Sequence, residues 1–314
     1  MSINARATSG ALVSNGATTT GKICMLALDP NSSDGIHIQG NNQIKYIDCW
    51  GHTNSTMGTA INAAGNSGST AVGLGHCAVG GASVTTQYSP AVTTGCQNVP
   101  DPFATVSAYS TTASYVPNFA LPTVGSTCKS TNLNLKKGTY TLDPGRYCGG
   151  ISIQAQAKVT LNPGIYIIDN GQFLVQSGSN LSGSNVMFYF TGAASRMTII
   201  GGGVINLKGR STGSTYAGFL FIAHPNANTD GESNIQGGGI MTLEGVLYMP
   251  RQRIEVSGNG HVNGSTNYFA MVAKDFYFRG NGDFFFKKHA GGTNIPDVMP
   301  NMPVATERSS ILSN

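Results

Sequence analysis

LDPGRYC at residues 142–148 and LNPGIYI at residues 161–167 are near-copies of one another, offset by 19 residues. Short segments such as ISI at 151–153 and MTL at 241–243 continue from there as far as residue 286. They alternate between apolar and polar side chains, which predicts β-strands with one buried and one wetted face. Gly, Asn or Ser separates nearly all of them, and these residues accept the positive φ of tight corners.

These segments are too short to be stable as isolated strands. Stacked about 4.8 Å above and below similar strands, each one would complete its hydrogen bonds. The sequence therefore predicts an all-β chain, wound as a single-stranded parallel β-solenoid in the form of a right-handed β-helix. The alternative is an antiparallel sandwich, whose hairpins usually have longer strands at regular spacing.

The boundaries of this pattern suggest a domain organisation. Residues 1–22 are predicted to be a polar lead-in, residues 23–289 the β-helix domain, and residues 290–314 an extended C-terminal tail containing three prolines. From about residue 85 to 128, Ala, Gly, Ser, Thr and Pro dominate the sequence. We predict that this stretch is a long irregular excursion packed along the flank of the domain.

The cysteines are even in number, and no two of them have the C-x-x-C spacing of a zinc or redox site. Three disulfides formed in an oxidising compartment are predicted, and six buried thiols in a cytosolic protein are the alternative. Fifteen pairings exist. Pairing between sequence neighbours is the simplest, because separations of 25, 19 and 20 residues each approximate one coil. The six are Cys24, Cys49, Cys77, Cys96, Cys128 and Cys148.

Charge and motif content exclude several functions. The net charge of +4 comes from scattered residues, whereas nucleic-acid binding requires a clustered basic patch. No stretch reaches the roughly 18 apolar residues of a membrane span, and residues 1–22 lack the apolar region of a signal peptide. The glycine triplets at 201–203 and 237–239 do not form G-x-G-x-x-G, so no nucleotide or other cofactor is predicted.

A catalytic β-helix that cuts polysaccharides would need paired acids, or acids that hold Ca²⁺. NTD at 228–230 and GNGH at 258–261 resemble fragments of pectin hydrolases. The Asp pair expected between them is missing, however, and no two of the 14 acids in the chain are adjacent. No catalytic residue is therefore predicted. Asp230 and Glu232, among three asparagines, are a weak candidate for a Ca²⁺ site, and a polar loop is the alternative.

Three consecutive aromatic residues, Phe284, Phe285 and Phe286, stand near the end of the pattern. They cannot all face inward, because neighbouring residues on a strand point to opposite sides. We predict that one or two of them cap the open end of the solenoid or pack under the C-terminal tail. The alternative is an exposed surface that contacts a partner.

Six motifs occur in order along the chain: ICMLALDP (23–30), CWGHTNS (49–55), DPFA (101–104), GRYCGGI (145–151), NPGIYII (162–168) and LEGVLYMP (243–250). Together they resemble the C-terminal region of TadG-like proteins from the tight-adherence (Flp-type) pilus systems of bacteria. The resemblance covers about residues 22–286 and implies an extracytoplasmic location. It also implies anchoring through a hydrophobic helix outside this sequence.

The same resemblance implies a role in pilus assembly or surface adhesion, with other pilus or pseudopilin subunits and surface glycans as partners. It carries no catalytic motif. The alternative is a secreted β-helix protein that binds or cleaves polysaccharide. An ice-binding face would need a regular threonine column, but the column that begins at Thr141 and Thr160 lapses at Ala217 and Gln236.

Overall fold

A computed structural model describes residues 19–64, 68–176, 178–259, 261–289 and 291–304. These residues form 28 strands and no helix. One sheet contains 26 of the strands, and nearly all of its pairings are parallel. The prediction of an all-β chain with parallel strand pairing is therefore confirmed.

Many of the strands are joined by connections of a few residues, and longer connections occur between β10 and β13, β21 and β22, and β27 and β28. In chain order they are β1 (Thr19–Ala27), β2 (Ile36–Gly40), β3 (Gln43–Ile47), β4 (Trp50–Thr53), β5 (Ile61–Ala63), β6 (Thr70–Val72), β7 (Gly75–Ala78), β8 (Ala82–Ser83), β9 (Tyr88–Ser89), β10 (Thr93–Thr94), β11 (Ala104–Val106), β12 (Val116–Pro117), β13 (Ser130–Lys136) and β14 (Thr139–Leu142). They continue with β15 (Gly145–Gln154), β16 (Lys158–Leu161), β17 (Gly164–Val175), β18 (Asn180–Gly183), β19 (Val186–Thr191), β20 (Arg196–Ile200), β21 (Val204–Lys208), β22 (Phe219–Ala223), β23 (Glu232–Gly237), β24 (Ile240–Gly258), β25 (His261–Val262), β26 (Phe269–Gly280), β27 (Asp283–Lys287) and β28 (Asn301–Val304).

The chain contributes strand segments to three parallel ladders in turn, and one segment from each ladder makes a layer. A long strand can supply the segments for two or three ladders of the same layer. The long strand β24 passes through all three, pairing with β21, β22 and β23. Ladder 1 stacks eleven strands in the order β13, β15, β17, β19, β22, β24, β26, β1, β4, β7 and β10. Ladder 2 runs β13, β15, β17, β20, β23, β24, β26, β2, β5 and β8. Ladder 3 runs β14, β16, β18, β21, β24, β25, β27, β3, β6 and β9.

The order of the layers in space is not their order in the chain. The N-terminal strands stack beyond the C-terminal ones, because β1 lies between β26 and β4. Residue 94 is consequently at one end of ladder 1 and residue 130 is at the other, about 48 Å away at the usual strand spacing. Residues 97–128, which we call the strap, run along the outside of ladder 1 and connect its two ends.

The strap explains why the central strands of ladder 1 are apolar on both faces. Residues 186–190 and 219–223 are buried without alternation, although period-two alternation was predicted for both. Their inner face meets the core, and their outer face meets strap side chains such as Phe103 and Phe119. A parallel sheet covered on both sides has this composition. Ladders 2 and 3 do alternate, as in Lys158–Leu161.

The corner between ladders 2 and 3 repeats the dipeptide Gly-Asn in successive layers. Gly258, Gly280 and Gly40 all have φ near +100° and stack on one another, so that a Cβ on Gly280 would lie 2.5 Å from the backbone oxygen of Gly258. The asparagines that follow them form a side-chain ladder. Asn41 donates to Asn281, which donates to Asn259, each over 3.1 Å. Gly and Asn therefore occupy corners, as predicted.

The predicted segments at the two chain ends lie partly outside the described residues. Of the polar lead-in, residues 19–22 are described and pair antiparallel with β28 of the C-terminal tail. Residues 88–89 and 93–94, within the excursion predicted for 85–128, belong to ladder strands, so the irregular strap begins at residue 97. No helix among the described residues is long and apolar enough to cross a membrane.

Candidate functional site

A polar cleft of about 470 Å³ opens between the strap and the turn that follows β22. We call it the strap cleft. The strap contributes one wall, the turn at residues 224–229 contributes the other, and Arg251 of β24 lies between them. The lining residues are Ala108, Ser110, Ala113, Ser114, Tyr115, His224, Pro225, Asn226, Thr229 and Arg251.

A chain of hydroxyl groups joins the strap wall to the face of ladder 1 that the strap covers. The Tyr248 hydroxyl donates to Oδ2 of Asp101 over 2.9 Å, and it lies 3.2 Å from the Tyr115 hydroxyl. Because Tyr248 has one proton and gives it to Asp101, Tyr115 donates to Tyr248. The Tyr115 ring is thereby held at the cleft, and its hydroxyl keeps acceptor capacity for a ligand.

Asp101 is the carboxyl group at the inner end of this chain. It is 6% exposed, and burial raises its pKa to about 6. Hydrogen bonds from the Phe103 backbone N–H and the Tyr248 hydroxyl favour the carboxylate and limit the rise. Asp101 faces Tyr248 instead of the cleft, so its role here is to position Tyr248 and the strap.

Arg251 locks the strap onto the ladder. Its guanidinium lies 4.9 Å from the centre of the Tyr109 ring and donates to the Ala108 carbonyl over 3.0 Å. A second nitrogen reaches Oδ2 of Asp230 at 3.3 Å. Nε of Arg251 is buried and has no hydrogen-bond partner within the described part of the chain.

His224 forms the opposite wall in a defined tautomer. Its Nδ1 accepts the backbone N–H of Asn226 over 3.1 Å, so the proton of the neutral ring is on Nε2. Burial lowers the pKa of this imidazole, which favours the neutral form. The ring therefore supplies an N–H donor, and not a charge, to the cleft.

Asp230 and Glu232 are the weak Ca²⁺ candidates, and Asp230 has a cation at each of its carboxylate oxygens. Lys274 lies at 2.9 Å from one oxygen and Arg251 at 3.3 Å from the other. Partial burial would raise the pKa of Asp230, but the Lys274 and Arg251 cations outweigh it and lower the pKa. Within the described residues, no three His, Cys, Asp or Glu side chains are placed to hold a metal ion.

The three phenylalanines are not at an end of the stack, and two of them cannot be a contact surface. Phe284 and Phe286 are 2% exposed and lie in the core, because β27 is covered by β3 of the N-terminal layers. Capping of an open end, one of the two arrangements predicted for one or two of these residues, is therefore wrong. Phe285 points outward, with the Lys45 ammonium 5.2 Å from its ring centre.

The cysteines form three disulfides between sequence neighbours, which confirms the predicted number. The bonds are Cys24–Cys49, Cys77–Cys96 and Cys128–Cys148. Each one joins a strand of ladder 1 to a cysteine within two residues of the neighbouring strand, and the second and third fasten the two ends of the strap. Three disulfides are typical of proteins that fold in an oxidising, extracytoplasmic compartment.

Ladder 2 carries on its outer face a group of charged residues that sequence analysis missed. Arg253 pairs with Asp275 and Arg279 pairs with Glu255, both over 2.6 Å, while Tyr277 stacks between them at 4.7 Å from Arg279. The register of the neighbouring strands β24 and β26 brings these residues together, and their spacing in the chain gives no signal of it. Each carboxylate is neutralised, so the group stabilises the face.

The strap cleft was also missed, since its walls come from distant parts of the chain. Its chemistry is that of a binding site: hydroxyl, amide and imidazole groups that donate and accept hydrogen bonds, with no carboxylate in the lining. Asp230 is an acid that contacts a lining residue, Arg251, and its lowered pKa makes it a poor proton donor.

Comparison with known proteins gives one family. No curated protein and no solved structure matches the chain. A family model described as a domain of unknown function (DUF7305) matches residues 109–290, which is more than half of the chain. The match contains β13 to β27, most of the strap and all but one of the residues that line the strap cleft. The chain therefore belongs to the DUF7305 family.

Proposed function

We propose that the chain is a non-enzymatic, extracytoplasmic module of a tight-adherence pilus, serving pilus assembly or surface adhesion. We also propose that its three ladders wind as a right-handed parallel β-solenoid. In this role the protein acts as a stiff support that presents its outer faces to a partner, which is either another pilus or pseudopilin subunit or a surface glycan.

The observation that carries the proposal is the covalently fastened stack of layers. Each disulfide closes a loop of about 20 residues and contributes roughly 3 kcal/mol by restricting the unfolded chain. Stacked ladders make contacts only with their neighbours, so loops on the surface can change without unfolding the core. A rigid, disulfide-bonded rod suits a protein that bears mechanical load outside the cell.

The resemblance to TadG-like proteins supports the pilus assignment, and the positions of the six motifs give it physical content. Five of them lie in ladder 1, and the sixth, at residues 101–104, lies in the strap that covers it. The motifs therefore belong to a sheet that is buried on both faces and to the strap that covers it. They support an architecture shared with TadG-like proteins, while the surface that acts in adhesion is free to differ between this chain and those proteins.

The non-enzymatic part of the proposal is supported by the surroundings of the carboxylates. Glu255 and Asp275, which are buried acids on the outer face of ladder 2, are paired with arginines, and Asp230 is held between two cations. Hydrolysis of a glycosidic bond requires one carboxylic acid that stays protonated near neutral pH beside a second carboxylate. Asp101 has the raised pKa but is buried behind Tyr248.

Deletion of the gene in its native host tests the proposal. We expect fewer pili or weaker attachment to surfaces, and unchanged growth on polysaccharides as carbon source. Complementation with the wild-type gene should restore attachment. Normal piliation together with normal attachment in the deletion strain would refute the pilus role, and a growth defect on a polysaccharide would favour the degradative alternative.

One observation favours the polysaccharide-binding form of that alternative. The strap cleft is polar, preformed and lined by groups that suit sugar hydroxyls. Binding of a glycan there is compatible with adhesion and does not require cleavage.

A further inference from the structure

We propose that the strap cleft binds a neutral glycan, occupying it with a segment of about disaccharide size. This deepens the adhesive role proposed above and rests on it for its biological meaning, although the binding itself can be tested alone. The volume of about 470 Å³ is within the usual range for small-molecule sites.

The lining matches the alternating hydroxyl and C–H surfaces of a sugar. Tyr115 offers a ring whose position is fixed by its hydrogen bond to Tyr248, and Pro225, although largely buried, is part of the facing wall. Around them, Ser114 and the Asn226 amide are exposed and supply both donors and acceptors. Aromatic rings with a polar rim are favourable where one side of a ligand is apolar and the other is wet.

The electrostatics of the cleft favour an uncharged ligand. Arg251 is the one charged residue in the lining, and its charge is already opposed by the Asp230 carboxylate. Lys274, the next nearest cation, contacts the same carboxylate and lies 3.9 Å from Asp29. An anionic ligand would compete with Asp230 for its partners, and a cationic ligand would meet no carboxylate in the lining.

One donor is available at a fixed position for a sugar oxygen. Nε2 of His224 carries the proton of the neutral ring, because Nδ1 is taken by the backbone of Asn226. The Arg251 guanidinium also lines the cleft, and two of its nitrogens are held in place by the Ala108 carbonyl and the Asp230 carboxylate. Its Nε is buried from solvent and is not a contact for the ligand.

The cleft is preorganised, which reduces the entropic cost of binding. Disulfides fix both ends of the strap, and the Arg251–Tyr109 contact and the Tyr115–Tyr248 hydrogen bond fix its middle. The opposite wall is a turn whose Thr229 hydroxyl donates to the Pro225 carbonyl over 3.0 Å. Neither wall has to fold when the ligand enters.

Binding by the whole chain can be measured by ligand-observed NMR with a panel of neutral disaccharides: maltose, cellobiose, lactose and N,N′-diacetylchitobiose. A galacturonic acid disaccharide and a glucosamine disaccharide are the charged comparators. We expect at least one neutral sugar to bind more tightly than either comparator. If no neutral sugar binds, or if a charged comparator binds best, the proposal is overturned.

Two matched pairs of variants locate the binding. Ala113→Trp places an indole at the cleft, whereas Ala120→Trp makes the same change at an exposed strap position outside it. Asn226→Ala removes one lining amide, and Asn98→Ala is its exposed control. We expect A113W to weaken binding by about tenfold or more and N226A to weaken it by a smaller factor. Equal affinity for A113W and A120W, with equal unfolding midpoints, would place the sugar elsewhere and overturn the proposal.

The same variants separate this inference from the pilus role. If the gene deletion abolishes attachment but A113W restores it as well as the wild type does, the pilus role stands and the glycan does not act through the cleft. If the cleft binds sugar but the deletion strain attaches normally, the site is real and the pilus role fails.

Discussion

Replacing Asp101 with Asn should remove a pH-dependent term from the stability of the protein. Burial raises the pKa of the carboxyl group to about 6 in the folded state, whereas the unperturbed value is 3.8. The folded protein therefore holds a proton on Asp101 between these two pH values, and the unfolded chain has released it. Because the folded state binds more protons in this interval, its free energy of unfolding falls as the pH rises.

The size of the effect follows from the difference between the two pKa values. Each unit is worth 1.36 kcal/mol, so the full contribution of Asp101 is about 3 kcal/mol. Roughly 2 kcal/mol of it is lost between pH 4 and pH 7, because the carboxyl group of the unfolded chain is already partly ionised at pH 4. Asp101 is almost completely buried, so solvent does not screen this term away. His52 and His76, both buried with pKa values lowered to about 4, change stability in the opposite direction over a similar range.

Comparison of two proteins at each pH cancels those other groups. Urea unfolding of the wild type and of D101N from pH 4 to pH 7 should show the wild type losing roughly 2 kcal/mol relative to the variant as the pH rises. Tyr248→Phe removes a hydrogen bond that favours the carboxylate, so the same step should move to higher pH in that variant. Parallel pH curves for wild type and D101N would refute the assignment of the raised pKa to Asp101.

The remaining predictions test the strap, the corners and a buried imidazole. The double variant C128S/C148S should lose about 3 kcal/mol of unfolding free energy and be cleaved faster in the strap by a protease, and an unchanged cleavage pattern would show that this bond does not hold the strap. Gly280→Ala should cost at least about 2 kcal/mol in urea unfolding, since its Cβ meets backbone at positive φ, whereas Gly125→Ala, with open space around it, should change little. The ring of His76 should stay neutral down to about pH 4, because burial lowers its pKa. Its contribution to the free energy of unfolding is therefore lost as the pH falls from 6.5 towards 4. An NMR titration midpoint near 6.5 would contradict its burial.

The local features of the fold could be predicted from the sequence because their causes are local. Alternation sets which side chains of ladders 2 and 3 face inward, and Gly-Asn pairs such as Gly40 and Asn41 mark corners that need positive φ. The cysteine spacings match one layer, and the disulfides connect neighbouring layers accordingly.

The order of the layers could not be predicted, because it depends on which strand edges match in space. Nothing in the alternation of residues 23–47 distinguishes a first layer from one stacked on β26 and β27. The strap cleft was hidden for the same reason, since Tyr115 and Arg251 meet only after the chain has returned along ladder 1. One signal was present: unbroken apolar runs such as residues 219–223 require a cover on both faces.

The N-terminal layers and the segment that matches the family have different structural roles. Residues 109–290 hold nearly all of the strap cleft, but alone they would leave β26 and β27 with unpaired edges and the core beneath Phe286 open. The layers formed by residues 23–94 cover that edge, which is otherwise a site for association with other chains. Stacking there carries residue 96 to the far end and forces the strap to run back across ladder 1. On the way it places Asp101 against Tyr248, which holds Tyr115 at the cleft. The geometry of the cleft thus depends on a carboxyl group outside the family segment, through a chain of two hydroxyl groups.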